Sequence, residues 1–179
     1  MSVPGFHSPR HPGQKTLEAL ALRIARLFSE NGLRLASAES CTGGWAAQCL
    51  TAIPGSSAWF DRGFVCYSND AKREMLGVPA AILKRHGAVS EPAAAAMASG
   101  ALHHSRADWA LSVTGIAGPD GGTPVKPKGT VCFGWANHES CETLTYRFDG
   151  SREAVRAQSV FCAFDGLVRR VASTAVRRP

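Results

Sequence analysis

The strongest constraint on this chain is the order in which two hydrophobic periodicities succeed one another. From Thr16, apolar residues fall at Leu17, Leu20, Ala21, Ile24, Leu27 and Phe28, one face of a helix that "ENG" at residues 30–32 stops. "LRLASA", residues 33–38, alternates as a short strand, and residues 43–50 return to helical spacing before "IPGSS" breaks it. "FDRGFVCY", residues 60–67, is rich in aromatic and β-branched residues and reads as a second strand. A short helix follows over residues 71–76 with Asp70 as N-cap, then another turn or two over residues 80–85. Ser90 caps an alanine-rich helix with Pro92 in its first turn. "WALSV", residues 109–113, is a strand that runs into the glycine-rich "TGIAGPDGGTPVKPKG". "TVCFGWA" and "TLTYRF" are two more strands, closed as a hairpin at "HES", residues 138–140. From Ser151 onward, Val160, Phe164, Leu167, Val168 and Val171 line a final helix.

Such alternation predicts an α/β fold: a three-layer α/β/α sandwich with helices on both faces of a mixed, mostly parallel sheet. The consecutive late strands argue against a purely parallel one. No internal repeat or second core is visible, and 179 residues suit one domain that needs neither disulfides nor metal to stabilise it. The expected organisation is a Pro-, Gly-, His- and Ser-rich disordered arm over residues 1–14, a domain over 15–175 and a basic tail over 176–179.

The chain is 45% hydrophobic, yet no apolar run approaches the ~18 residues of a membrane span, so a membrane partner is not expected. The first residues lack the apolar core of a secretory signal, and a cytoplasmic address follows. The six cysteines include no C-x-x-C pair and are expected to be reduced thiols; no metal or cofactor is predicted. The net charge of +6 suggests nucleic acid only until its arginines are located. Arg152, Arg156, Arg169, Arg170, Arg177 and Arg178 all lie in the last segment, which leaves the interior of the chain close to balanced. Nucleic acid therefore ranks last among the partners.

Three segments can carry chemistry. In "SAESCTGGWAAQ", residues 37–48, a strand ends, Ser40 follows, and a helix opens, which places the hydroxyl at the mouth of the sheet. Backbone N–H groups of Thr42, Gly43 and Gly44 would point to the same spot and suit a phosphate or an oxyanion. The plainer alternative is that Ser40 or Thr42 is only an N-cap. A serine needs a base. The histidines are poorly placed: His7 and His11 lie in the arm, His103 and His104 at a helix end, His138 in a hairpin, and His86 in a helix-terminating stretch. "YSNDAK" supplies a lysine instead. Lys72 would lie in a first helical turn, where desolvation and the helix dipole lower its proton affinity; the alternative is an exposed lysine. Tyr67 would orient the amine or relay a proton through its hydroxyl, and a nearby Asp70 or Glu39 carboxylate would work against neutrality. Cys41, beside a helix start, is the rival nucleophile. The glycine-rich stretch matches neither dinucleotide nor Walker spacing, and its backbone can approach a ligand closely. Arg152 and Arg156, one turn apart, could clamp a phosphate or simply be solvated.

Taken together, "SAESCTGGWAA", "IPGSSAWFDRGFVCYSNDAK", "GAVSEPAAAAMA" and "TGIAGPDGGTPVKPKGTV" resemble the C-terminal domain of the competence-damage-inducible protein CinA over residues 17–171. The resemblance implies metal-free hydrolysis of the carboxamide of nicotinamide mononucleotide to nicotinate mononucleotide and ammonia, a salvage step. It implies a Ser40 nucleophile assisted by Tyr67 and Lys72. Glu39, Cys41, Thr42, Gly43, Gly44, Asn69, Thr114, Gly115, Ala117, Gly118 and Arg152 would then surround the nucleotide. It also implies a homodimer or higher homo-oligomer. Two positions depart from the family pattern: Ser151 stands where an acid is usual, and Lys128 interrupts the usual "KPVG". The competing reading is a non-catalytic nucleotide-binding or competence-related accessory domain.

Overall fold

The computed structural model describes residues 9–175. In chain order it contains α1 (Gln14–Glu30), β1 (Leu35–Glu39), α2 (Trp45–Thr51), β2 (Phe60–Val65), α3 (Asn69–Leu76), α4 (Ala80–His86), α5 (Glu91–His103), β3 (Trp109–Gly115), β4 (Thr130–Asn137), β5 (Cys141–Arg147) and α6 (Arg152–Ala175). The five strands form one sheet in the order β2-β1-β3-β4-β5. β1 runs parallel to β2 and β3, while β4 is antiparallel to both of its neighbours. Four strands thus share a direction and only β4 opposes them, which is the mixed, mostly parallel sheet expected from the sequence.

Side-chain alternation gives the sheet two unlike faces. Leu35, Leu111, Val113, Phe133 and Trp135 point to the face covered by α1, α2 and α6, where they meet Leu17, Ile24, Phe28, Phe164 and Leu167. Burying each such large side chain contributes roughly 1.5–3 kcal/mol, so this face supplies most of the hydrophobic stabilisation. The other face carries Ala36, Ala38 and Ala110 and is covered by α3, α4 and α5. Small residues on both sides let the backbone of α5 lie close: Ser112 Oγ donates to Ala94 O at 2.6 Å, and a Cβ on Gly134 would come 2.7 Å from that carbonyl.

Several boundaries differ from those the sequence suggests. α2 begins at Trp45, because Gly43 and Gly44 take left-handed conformations with φ of 61° and 92°. α3 is capped by Ser68, whose Oγ accepts from Ala71 N at 3.0 Å; Asp70 is a first-turn acid and not the cap. Of the expected arm, residues 9–13 are placed, with Pro12 buried, while residues 1–8 and the tail at 176–179 lie outside the described residues. The β4–β5 turn is closed by Asn137 Oδ1, which accepts from Glu139 N and Ser140 N.

The three parallel strands β2, β1 and β3 end at one edge of the sheet. Ser40 N donates to Val113 O at 2.9 Å and Cys66 N to Glu39 O at 2.8 Å, so their carboxyl ends are fastened side by side. The segments that leave these ends carry the residues singled out in the sequence. None of the described helices is long and apolar enough to cross a membrane.

Candidate active site

The centre of the site is a buried amine. Lys72 projects from the first turn of α3, and only 1% of it is exposed. Its Nζ lies 3.0 Å from Ser40 Oγ, donates to Cys66 O at 2.9 Å and reaches Tyr67 O at 3.3 Å. No carboxylate among the described residues pairs with it. Burial therefore holds its proton affinity below that of an ordinary lysine, and only the nearby thiols of Cys66 and Cys41 act weakly against this. Its neighbours are two carbonyls and one hydroxyl: a charged amine donates to all three, and a neutral one donates to the carbonyls and accepts from the hydroxyl.

Ser40 follows β1 directly and is 8% exposed. The turn behind it is wired from two directions. Glu39 is fully buried, and its carboxylate accepts from the amides of Gly44 at 3.1 Å, Ala46 at 3.0 Å and Ala47 at 2.8 Å. These three bonds make it the anchor of α2. Gly43 N donates to Ser40 O at 3.1 Å. Of the amides expected to face a ligand, those of Gly43 and Gly44 are therefore engaged within the turn. The Thr42 amide has no acceptor among the described residues, and that of Cys41 lies against its own thiol.

Cys41 is buried, and loss of solvent pushes its thiol up to about 12. That direction favours the protonated thiol and opposes the activation that a helix start suggests. Tyr67 also differs from expectation. It holds the amine through its backbone carbonyl, while its hydroxyl accepts from Arg152 Nη2 at 3.1 Å. Arg152, at the start of α6, donates its Nη1 to Gly118 O at 2.7 Å and so joins Tyr67 to the glycine-rich loop.

The remaining predicted positions divide. Thr114 is buried with its hydroxyl donating to Ala88 O at 2.8 Å, and Ala117 is buried, so neither presents a free group. Gly115 has no room for a side chain, since a Cβ would meet Val131 and Thr130 O within 3 Å. Gly118 (φ 85°) is overlaid by the Lys128 side chain. Asn69 is exposed on the first turn of α3. Arg156, for which the sequence leaves a phosphate clamp or a solvated charge open, donates to Thr42 O at 2.7 Å and Cys41 O at 3.2 Å. Nothing local in the sequence signals this, because the partners are separated by more than a hundred residues. A cavity of about 470 Å³ opens beside these groups, lined by Trp45, Arg152, Glu153 and Arg156.

Known proteins share both the sequence and the shape. The nicotinamide-nucleotide amidohydrolase PncC of Escherichia coli K12 is 50% identical over 153 residues, which is 84% of this chain and 92% of that protein. A CinA-like protein of Geobacter sulfurreducens is 53% identical over 148 residues, but there the chain spans only 36% of its relative's length. The crystal structure of the competence/damage inducible protein CihA from Agrobacterium tumefaciens superposes with a TM-score of 0.84 at 44% identity, covering 94% of this chain and 98% of that one. The CinA C-terminal domain model matches residues 17–171. With that span matched and the α/β/α architecture shared, the chain belongs to the CinA C-terminal domain family.

Proposed function

We propose that the protein is an amidohydrolase that converts nicotinamide mononucleotide to nicotinate mononucleotide and ammonia, with Ser40 as nucleophile and Lys72 as base. The observation that carries this reading is the 3.0 Å separation of a buried, carboxylate-free lysine amine from a serine hydroxyl at the mouth of the sheet. The 50% identity to a nicotinamide-nucleotide amidohydrolase supplies the substrate.

The Ser40 hydroxyl donates to the lone pair of neutral Lys72. Its oxygen attacks the carboxamide carbon as the proton passes to Nζ. Thr42 N–H, with Cys41 N–H beside it, receives the developing oxyanion; one such donor is worth ~2.7–4 kcal/mol in the transition state. The C–N bond then breaks, and the proton on Lys72 leaves with ammonia. Tyr67, whose oxygen accepts from Arg152, keeps its own O–H proton available at the mouth. Water, deprotonated by Lys72, cleaves the acyl-serine and releases nicotinate mononucleotide. Arg152 and the loop after Gly115 meet the ribose phosphate. A cytoplasmic setting, supported by six unpaired thiols, and assembly into a homo-oligomer, supported by half-exposed Val65 and Met75 at this edge, complete the reading.

The test is ammonia release from nicotinamide mononucleotide by purified wild-type, Ser40→Ala and Cys41→Ala proteins. Turnover is expected in the wild type, none with Ser40→Ala and most of it with Cys41→Ala. The reverse pattern would assign the chemistry to the thiol, and binding without turnover would leave a nucleotide-binding module.

A further inference from the structure

We infer that Arg156 is a positioning residue for this reaction, one that strengthens the oxyanion donor through the peptide units of the nucleophile turn without touching the substrate. The inference rests on the amidase reading above. Arg156 reaches out from the second turn of α6, donating from Nη2 to Thr42 O at 2.7 Å and from Nε to Cys41 O at 3.2 Å. Its Cζ stands 5.3 Å from the ring centroid of Trp45, so the fork is braced from a third side. No carboxylate among the described residues pairs with it, Glu153 one turn earlier included. An uncompensated positive charge therefore faces two consecutive backbone carbonyls.

The consequence travels along the peptide bonds. Each carbonyl shares a resonant plane with the amide that follows it. Drawing electron density toward the oxygen makes the N–H at the other end a stronger donor. On the peptide after Thr42, that amide belongs to Gly43 and bonds Ser40 O at 3.1 Å, so the cation tightens the loop that carries the nucleophile. On the peptide after Cys41, the amide belongs to Thr42, the donor with no acceptor among the described residues. Arg156 thus reinforces an uncommitted N–H two residues from Ser40. That gain is realised as negative charge appears on the substrate oxygen, so it acts on the transition state more than on the bound substrate. A planar fork fits two neighbouring carbonyls, whereas a lysine offers a single point charge.

The experiment compares wild type, Arg156→Lys, Arg156→Gln and Arg156→Ala with nicotinamide mononucleotide, reading kcat and KM across pH. Removing one oxyanion donor outright costs ~10²–10³-fold in kcat, and weakening it is expected to cost about 10- to 100-fold. KM and the midpoint of the pH profile should stay in place, and added guanidinium should restore part of the kcat of Arg156→Ala. If the neutral variants do not fold, Arg156→Lys gives the same reading, because it keeps the charge and loses the fork. A raised KM with kcat retained would assign Arg156 to substrate binding and overturn the inference. So would a shifted midpoint, which would mean that it acts on Lys72, or a kcat that guanidinium fails to restore. An active wild type with unaffected variants removes this inference alone, whereas an inactive wild type removes the amidase reading beneath it.

Discussion

The turn at residues 40–44 and the loop at residues 115–129 leave adjacent strands at the same edge of the sheet, yet they are secured in opposite ways. In the turn, Glu39 collects three amides, Arg156 occupies two carbonyls, and both backbone polar groups of Ser40 are engaged. The loop is pinned at its base, where Ile116 N donates to Thr130 O at 2.9 Å and Gly129 N to Ile116 O at 2.8 Å. Beyond that, Arg152 holds Gly118 O, Lys126 Nζ donates to His86 O at 2.6 Å and one turn closes between Thr123 and Lys126, while Val125 at the tip is 87% exposed. Groups that make and break bonds tolerate little displacement, and groups that only surround a ligand tolerate more. On the proposed reading, this difference in wiring suits the turn to the reaction and the loop to recognition.

Four substitutions and one titration test this division, in decreasing order of effect. Lys72→Met removes the proton acceptor but keeps the bulk, and single-turnover ammonia release should fall by at least ~10³-fold. Glu39→Ala leaves three amides, one buried and two part-buried, without their shared acceptor, and chemical denaturation should show a loss of about 3 kcal/mol together with most of the activity. Retained stability there would break the claim that the turn is held from beneath. With the neutral amine as the proposed working form, kcat/KM should climb as Lys72 loses its proton, with a midpoint below 10.5. Stability should follow with the same sign. The unfolded chain keeps this proton to higher pH than the folded one, so unfolding becomes harder as pH rises from the folded pKa toward 10.5. A profile that falls across this range would reject a neutral base. Arg152→Gln cuts the link between Tyr67 and Gly118, and steady-state kinetics should show KM rising about tenfold with a smaller change in kcat. Val125→Ser, at the exposed tip, should alter thermal stability by less than ~0.5 kcal/mol and leave both constants unchanged.

Much of the fold was legible because periodicity is a local signal. The stripe from Leu17 to Phe28, the alternation that ends at Ala38 and the Ser90–Pro92 helix start all lie where they were expected. Errors arose where two local rules compete. Ser68 and Asp70 are both capping residues, and only the backbone path decides that Ser68 Oγ receives Ala71 N. Likewise Gly43 and Gly44 continue a helical pattern in sequence but turn left-handed in space. Within the site, Ser40 and Lys72 could be singled out by residue type and position. Their approach across 32 residues depends on β1 and β2 ending side by side. The anchoring of α2 by Glu39 has no local signal in the sequence. Its three amide partners lie five to eight residues ahead, at distances no helix-capping rule covers. The roles of Arg152 and Arg156 depend on where the last helix lands, which tertiary packing alone determines.

The amine of Lys72 is gripped by main-chain oxygens of residues 66 and 67 and by no side chain other than Ser40. Every amino acid carries such an oxygen. Replacement of Cys66 by another compact residue therefore leaves this grip on the amine in place.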